Sequence, residues 1–158
     1  MSNPRTSRSR REAVKQGYRS ALEMQVANQL KKARISFEYE PRDSILEYKQ
    51  RINNVVCESC GCTNNIYQVR TYLPDFVIGN VVLEAKGRWV ASDRSKINNL
   101  VQSHRGVTFV MLFQNPNQKT SKKRGTYAEW CDKNGILWLS YNDPSWITKL
   151  KTIIKDSK

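Results

Sequence analysis

The chain has 158 residues of ordinary apolar content, which suits one domain with a single core and leaves no apolar run near the roughly 18 residues of a membrane span. Its basic, Ser-rich start is not followed by the apolar segment of a secretion signal, so an intracellular protein without a membrane partner is expected. Twenty-seven Lys and Arg against fourteen Asp and Glu give a net charge of +13, which points to nucleic acid, because neutralising phosphates releases condensed counterions; a merely solubilising basic surface is the alternative.

In chain order, residues 1–19 are basic and poor in apolar side chains, and read as a flexible arm ahead of one domain over residues 20–155. A helix is predicted to start near Ser20. Leu22, Val26 and Leu30 recur every four residues, with Ala27 and Ala33 beside them, and Ser20 with Glu23 fits a capping box. Ile35 to Tyr39 alternates apolar and polar residues and reads as a strand. From Pro41 to Thr71 the chain is polar and Asn-rich, with one strand expected around Ile66 to Tyr72. Two apolar runs, Asp75 to Ile78 and Val81 to Lys86, flank Gly79-Asn80, the signature of a hairpin.

A second helix is predicted over Asp93 to His104, with Ile97, Leu100 and Val101 on one stripe and Gly106 as a stop. Val107 to Phe113 is a nearly continuous apolar run, as in a strand buried on both faces. Gln114 to Gly125 reads as a polar loop bearing Lys119, Lys122, Lys123 and Arg124. A short helix over Thr126 to Asn134 closes on Gly135, and Ile136 to Leu139 forms another strand. Asp143-Pro144 then supplies an N-cap and first-turn proline for a terminal helix through Trp146, Ile147 and Leu150. The fold class is therefore α/β, or α+β: a mixed β-sheet flanked by helices.

Alternation in the second hairpin strand puts Val82, Glu84 and Lys86 on one face and Val81, Leu83 and Ala85 on the other. A carboxylate and a lysine inside an apolar strand are costly to bury unless something neutralises them. Asp75 opens the partner strand, so its carboxylate can converge on Glu84. Two converging carboxylates suit Mg²⁺ or Mn²⁺, with Lys86 placed to orient or deprotonate a water or to stabilise charge on phosphorus. A Glu–Lys pair at a strand end, with Asp75 capping a turn, is the structural alternative.

Pro74-Asp75…Glu84-Ala85-Lys86 matches the PD-(D/E)xK nuclease core. More narrowly, the chain resembles the phage endonuclease I family of Holliday-junction resolving enzymes, on stations that run through nearly its full length. These are Tyr18 to Glu23, Phe37 to Glu40, Tyr72 to Phe76, Glu84 to Trp89 and Asp93-Arg94 with Lys96. Thr126-Tyr127, Glu129, Cys131, Lys133 to Ile136, Pro144 and Trp146-Ile147 continue the match. The resemblance implies a PD-(D/E)xK restriction-endonuclease-like fold in an intertwined, domain-swapped homodimer. It implies a Mg²⁺-dependent endodeoxyribonuclease for branched DNA, acting in the host cytoplasm if phage-encoded, with Asp75 and Glu84 as metal ligands and Lys86 as the catalytic lysine. Glu23 would join each site from the partner subunit. DNA contacts are expected from Arg19, Arg88, Arg94, Lys96, Lys119, Lys122, Lys123 and Arg124.

The interval from Glu23 to Asp75 is longer than in the family's best-known members, and a Cys-bearing insertion at about 50–68 accounts for it. Cys57, Cys60 and Cys62 fall within six residues, a spacing that favours metal over disulfides in an intracellular protein. A structural Zn²⁺ site needs four ligands, so His104, Cys131 or a second chain would complete it; inert surface thiols are the alternative. Cys131 itself reads as a core residue. Besides a junction-selective nuclease, two other functions fit the sequence: a site-specific, homing-type endonuclease of the same fold, and a non-catalytic zinc-containing nucleic-acid-binding protein.

Overall fold

Strands that alternate with helical periods after residue 76 require a layered sheet with helices over it. The computed structural model describes residues 4–121 and 124–158. It contains α1 (Pro4–Lys15), α2 (Ala21–Lys32), β1 (Glu38–Tyr39), β2 (Leu46–Val56) and β3 (Thr63–Tyr72). These are followed by β4 (Phe76–Ile78), β5 (Val81–Lys86), α3 (Ala91–Ser103), β6 (Thr108–Phe113), β7 (Lys119–Ser121) and β8 (Arg124–Thr126). The chain ends in α4 (Tyr127–Asn134), β9 (Leu137–Ser140) and α5 (Trp146–Asp156).

The main sheet has the order β1-β4-β5-β6-β9. β1, β4 and β5 pair antiparallel, and β5, β6 and β9 pair parallel, so the sheet is mixed as expected. The parallel half consists of two successive crossovers running the same way across the sheet. Right-handed connections then place both crossover helices, α3 and α4, over one face. On that face Val82, Phe109, Met111 and Phe113 meet Ile97, Leu100, Tyr127 and Cys131. On the other, Val81, Leu83, Ala85, Val110 and Leu112 meet Val26 and Leu30 of α2 and Trp146 and Leu150 of α5. Covering both faces explains why the β5 and β6 sequences read as continuous apolar runs.

Several elements depart from the sequence reading. The basic segment read as a flexible arm carries α1, with Ala13 fully buried. One small buried residue on an otherwise polar helix leaves almost no periodic signal. The expected strand at Ile35–Tyr39 is reduced to Glu38–Tyr39. Ile35 and Phe37 do pack on the core, but the partner strand β4 is only three residues long.

The polar stretch before residue 71 hides β2, which pairs with β3 from Leu46↔Tyr72 outward to Val56↔Thr63. The two strands make a ribbon in which Tyr48 and Tyr72 are buried at the base and Ile66, Tyr67 and Val69 are exposed further out. Residues 50–68, where the insertion is expected, form the outer part of this ribbon, with the cysteines at its tip. Within the expected basic loop, β7 and β8 pair as a second short ribbon. Finally, α5 begins at Trp146, with Ser145 rather than Asp143 at its cap. Asp143 accepts from the Ser145 N–H (2.9 Å) and pairs with Lys149, heading a turn just before the helix.

Leu112 is fully buried between the sheet and its helical cover. Leu112→Ala should lower unfolding stability by about 2–5 kcal/mol, read as a lower urea midpoint at unchanged slope. A loss below about 1 kcal/mol would contradict this two-faced core.

Candidate active site

The site begins with the hairpin register. Phe76 faces Leu83 across β4 and β5, so the residues one step beyond, Asp75 and Glu84, stand side by side. Their contact is direct: the Asp75 N–H donates to Glu84 Oε2 at 3.4 Å. The Asp75 Oδ2 accepts from the Ala85 N–H at 3.1 Å. Asp75 and Glu84 are 1 % and 2 % exposed, the most deeply buried acids among the described residues. Lys86, two residues along the same strand face, brings Nζ to 2.8 Å from Glu84 Oε1. The Tyr72 hydroxyl, at the inner end of β3, donates to Glu84 Oε2.

The start of α2 supplies the other half. Ser20 caps the helix by accepting from the Glu23 N–H at 3.1 Å. The expected capping box is only half made, because the Glu23 carboxylate turns elsewhere. Its Oε1 accepts from Ser20 Oγ (2.8 Å), and its Oε2 accepts from the Tyr39 hydroxyl (2.6 Å) and the Arg19 N–H (3.2 Å). The Arg19 guanidinium reaches from this cap to the strand pair. Its Nη2 donates to Asp75 Oδ1 at 2.7 Å, while Nε pairs with Glu40 and lies 4.0 Å from Glu23. Glu23, Asp75, Glu84 and Lys86 are thus brought together within one chain.

The electrostatics follow from burial. Desolvation, and next the Glu84 carboxylate, hold the Asp75 carboxyl far above the ordinary range, at about 8; Lys86 and Arg19 only partly oppose this. Burial works against the charged form of Lys86, but Glu84 and then Asp75 outweigh it and raise its pKa, so Lys86 stays protonated. Burial, then Glu84, pushes the Tyr72 hydroxyl well above its usual value, which keeps it a donor. Tyr39 is raised by burial and by its bond to Glu23. Sequence reading missed Tyr39, Glu40 and Tyr72. Their signal was weak: an aromatic at the end of a short strand, an acid one residue beyond it, and an aromatic at the end of an unremarkable polar strand.

The expected DNA-contacting residues fall in several settings. Arg88 is exposed in the turn after β5. Lys96 lies over the Tyr72 ring, 5.2 Å from its centroid, and pairs with Asp93. Arg94 is 8 % exposed and donates to the Trp89 carbonyl at 2.8 Å, which ties it to the fold of that turn. Lys119 is exposed on β7. Lys122 and Lys123 lie outside the described residues, as does the Arg124 side chain.

The cysteine expectations resolve partly. Cys131 is fully buried, and burial pushes its thiol up to about 12. It belongs to the core and cannot complete a site with the other three. His104 cannot either: its Nε2 sits 2.6 Å from the Glu47 carbonyl at the ribbon base, about 30 Å of strand from Cys57 at roughly 3.3 Å per residue.

A native Asp75 that holds a proton the unfolded chain has released makes stability fall as pH rises from about 4 toward 8. With a chelator present, Asp75→Asn should remove that slope, so its stability advantage over wild type should widen with pH across this window. Parallel stability–pH curves for the two proteins would refute the assignment.

Comparison with known proteins matches this arrangement to a family. The model of the phage endonuclease I family matches residues 5–157. Endodeoxyribonuclease 1 of Enterobacteria phage T3 is 33% identical over 123 residues, 77% of this chain and 70% of the relative. Endonuclease I of Escherichia phage T7 is 32% identical over 137 residues, 85% of this chain and 80% of the relative. The family match takes in both the α2 cap and the hairpin, the two halves from which the acidic cluster is built, and the chain belongs to the phage endonuclease I family.

Proposed function

We propose that this protein is a metal-dependent endodeoxyribonuclease that cleaves branched DNA, four-way junctions above all, by phosphodiester hydrolysis. The observation that carries the reading is the Asp75–Glu84 pair, buried side by side against Lys86 on adjacent strands of a phage endonuclease I family member. The names of the T3 and T7 relatives support nuclease chemistry. Junction selectivity, the homodimer and the PD-(D/E)xK assignment rest on the motif Pro74-Asp75…Glu84-Ala85-Lys86 and the family.

The donor set fits a hard divalent cation. It is oxygen-only, buried, and electrostatically frustrated enough to raise Asp75 to about 8, so a cation there relieves a strain already present. Asp75 and Glu84 would hold Mg²⁺ or Mn²⁺, with Glu23 beside them. When bound, the ion supplies Lewis-acid polarisation of a phosphate oxygen. Lys86, kept protonated by its neighbours, acts as a fixed positive charge toward the phosphorane-like transition state rather than as a base. Tyr72 holds Glu84 in orientation by donating to it. Arg19, with a side chain 59 % exposed, is the displaceable member: it balances Asp75 until a cation takes its place, which frees its guanidinium to pair with a DNA phosphate. A net charge of +13 supplies the sequence-independent phosphate grip that shape recognition of a branch requires.

With Mg²⁺ present, the protein should cut a four-way junction in preference to linear duplex of matched sequence. Glu84→Gln should lose cleavage by roughly 10²-fold or more while keeping junction affinity, since the change removes a negative charge near phosphate. Equal cutting of both DNAs would sink junction selectivity; a Glu84→Gln protein that still cuts would sink the site.

Subunit mixing tests the exchanged homodimer, in which the α1–α2 segment would make the same Glu23 and Arg19 contacts on a partner. Mixing Glu23→Gln with Asp75→Asn chains leaves one intact site per heterodimer if helices are exchanged, and none if they are not. Recovery of single-strand nicking in the mixture is the expected result; two inactive proteins that stay inactive after mixing and refolding would rule exchange out.

A further inference from the structure

Away from the acidic site, the described residues gather one other set of metal-ligating side chains. The Sγ atoms of Cys57, Cys60 and Cys62 all lie within 4.8 Å of one another. They occupy the turn that ends the β2–β3 ribbon. That turn is closed by the Cys57 N–H donating to the Cys62 carbonyl and the Gly61 N–H donating to the Cys57 carbonyl, both at 2.8 Å. Gly61 takes a φ of 66°, a left-handed conformation that suits glycine and bends the chain between two sulfurs.

Polar side chains lie against two of the sulfurs. The Ser59 hydroxyl lies 3.1 Å from the Cys57 sulfur. Asn64 Nδ2 donates to Cys62 Sγ at 3.5 Å. Polar side chains placed at sulfur are what a thiolate ligand sphere uses to orient and tune its metal. Three thiolates this close repel one another unless a cation lies between them.

We propose that Cys57, Cys60 and Cys62 bind one Zn²⁺ ion per chain through their thiolates, with the fourth tetrahedral position open to solvent or an external ligand. Zinc about 2.3 Å from each sulfur needs sulfurs about 3.8 Å apart, so the turn has to tighten by no more than about an ångström. Sulfur donors also separate this site from the acidic one: soft thiolates select zinc, while the carboxylate oxygens of Asp75 and Glu84 suit a hard ion. The ion's work would be mechanical. From Thr63 to Thr71 every residue of β3 is exposed, and a two-stranded ribbon alone is marginal in water. The base is anchored by Tyr48 and Tyr72; a metal at the tip would fasten the free end.

The test uses the full chain, stripped with chelator, kept reduced, and shown by thiol titration of an unfolded sample to carry all four free thiols. Titration with Co²⁺ alone should develop a sulfur-to-cobalt charge-transfer band that saturates at one equivalent. Zn²⁺ should bleach it, and excess Mg²⁺ should leave it unchanged. Cys60→Ser should weaken binding by at least the roughly 10–100-fold that even outer-shell changes cost, whereas Cys131→Ser should bind as wild type. Zn²⁺ should also slow amide exchange along β2 and β3 in wild type and not in Cys60→Ser. Absence of the band in fully reduced wild type would overturn the proposal, as would an unaltered band in Cys60→Ser. One ion per two chains would overturn it in favour of a site shared between copies.

Discussion

Two carboxylates buried against each other are the constraint around which this molecule is arranged. Asp75 and Glu84 are brought together by hairpin register, which the sheet cannot relax without moving every side chain of β4 and β5 to the wrong face. Burying a carboxylate costs several kcal/mol even after relaxation, and a second one beside it adds repulsion. Each remaining feature of the site answers that cost. Lys86 faces Glu84, Arg19 faces Asp75, and the Tyr72 hydroxyl and Ala85 N–H take up further lone pairs. The result is a folded state whose centre is tolerable but not relaxed, and the proposed cation would relieve it.

The scaffold separates holding from acting. The parallel half of the sheet, with α3 and α4 on one face and α5 on the other, makes the rigid platform. The acidic cluster sits where the short antiparallel edge joins that half, with Asp75 just ahead of β4 and Glu84 and Lys86 on β5. Glu23 and Arg19 come from the cap of α2, which docks on the platform through Val26 and Leu30. The Glu23 carboxylate therefore gives up half of a capping box to face Tyr39 and Arg19. A helix start that forgoes a local bond for a distant one marks where function overrides local preference.

Legibility in the sequence followed the density of apolar residues. β5, β6, α3 and α4 were readable because each is buried along a defined stripe, and the Asp75–Glu84–Lys86 cluster was readable because charges stand out in an apolar strand. β2 was hidden: Tyr48 at its base is its one buried residue, and the half-buried Leu46, Ile52 and Val55 are spaced too irregularly among polar residues to mark a strand. α1 was hidden for the same reason, with Ala13 its single buried anchor among the described side chains. Arg19 was legible as a basic residue, not as the counter-charge of Asp75, since nothing in a linear pattern joins positions 56 residues apart. Arg94 adds a second case: its position after β5 pointed to DNA, and nothing in the linear pattern showed that its Nη1 also holds the Trp89 carbonyl.

That separation along the chain bears on the order in which the molecule assembles. Asp75 and Glu84 are nine residues apart and meet as soon as the hairpin closes. Arg19 is 56 residues from Asp75 and arrives only when the N-terminal helices dock. Local contacts form ahead of distant ones because chain closure is costlier over longer loops. The hairpin therefore brings the counter-charge of Glu84 with it in Lys86, while that of Asp75 has to come from the start of α2. A contact made that late weighs on how slowly the native state comes apart more than on how fast it forms, so Arg19 acts as the clasp of the folded protein.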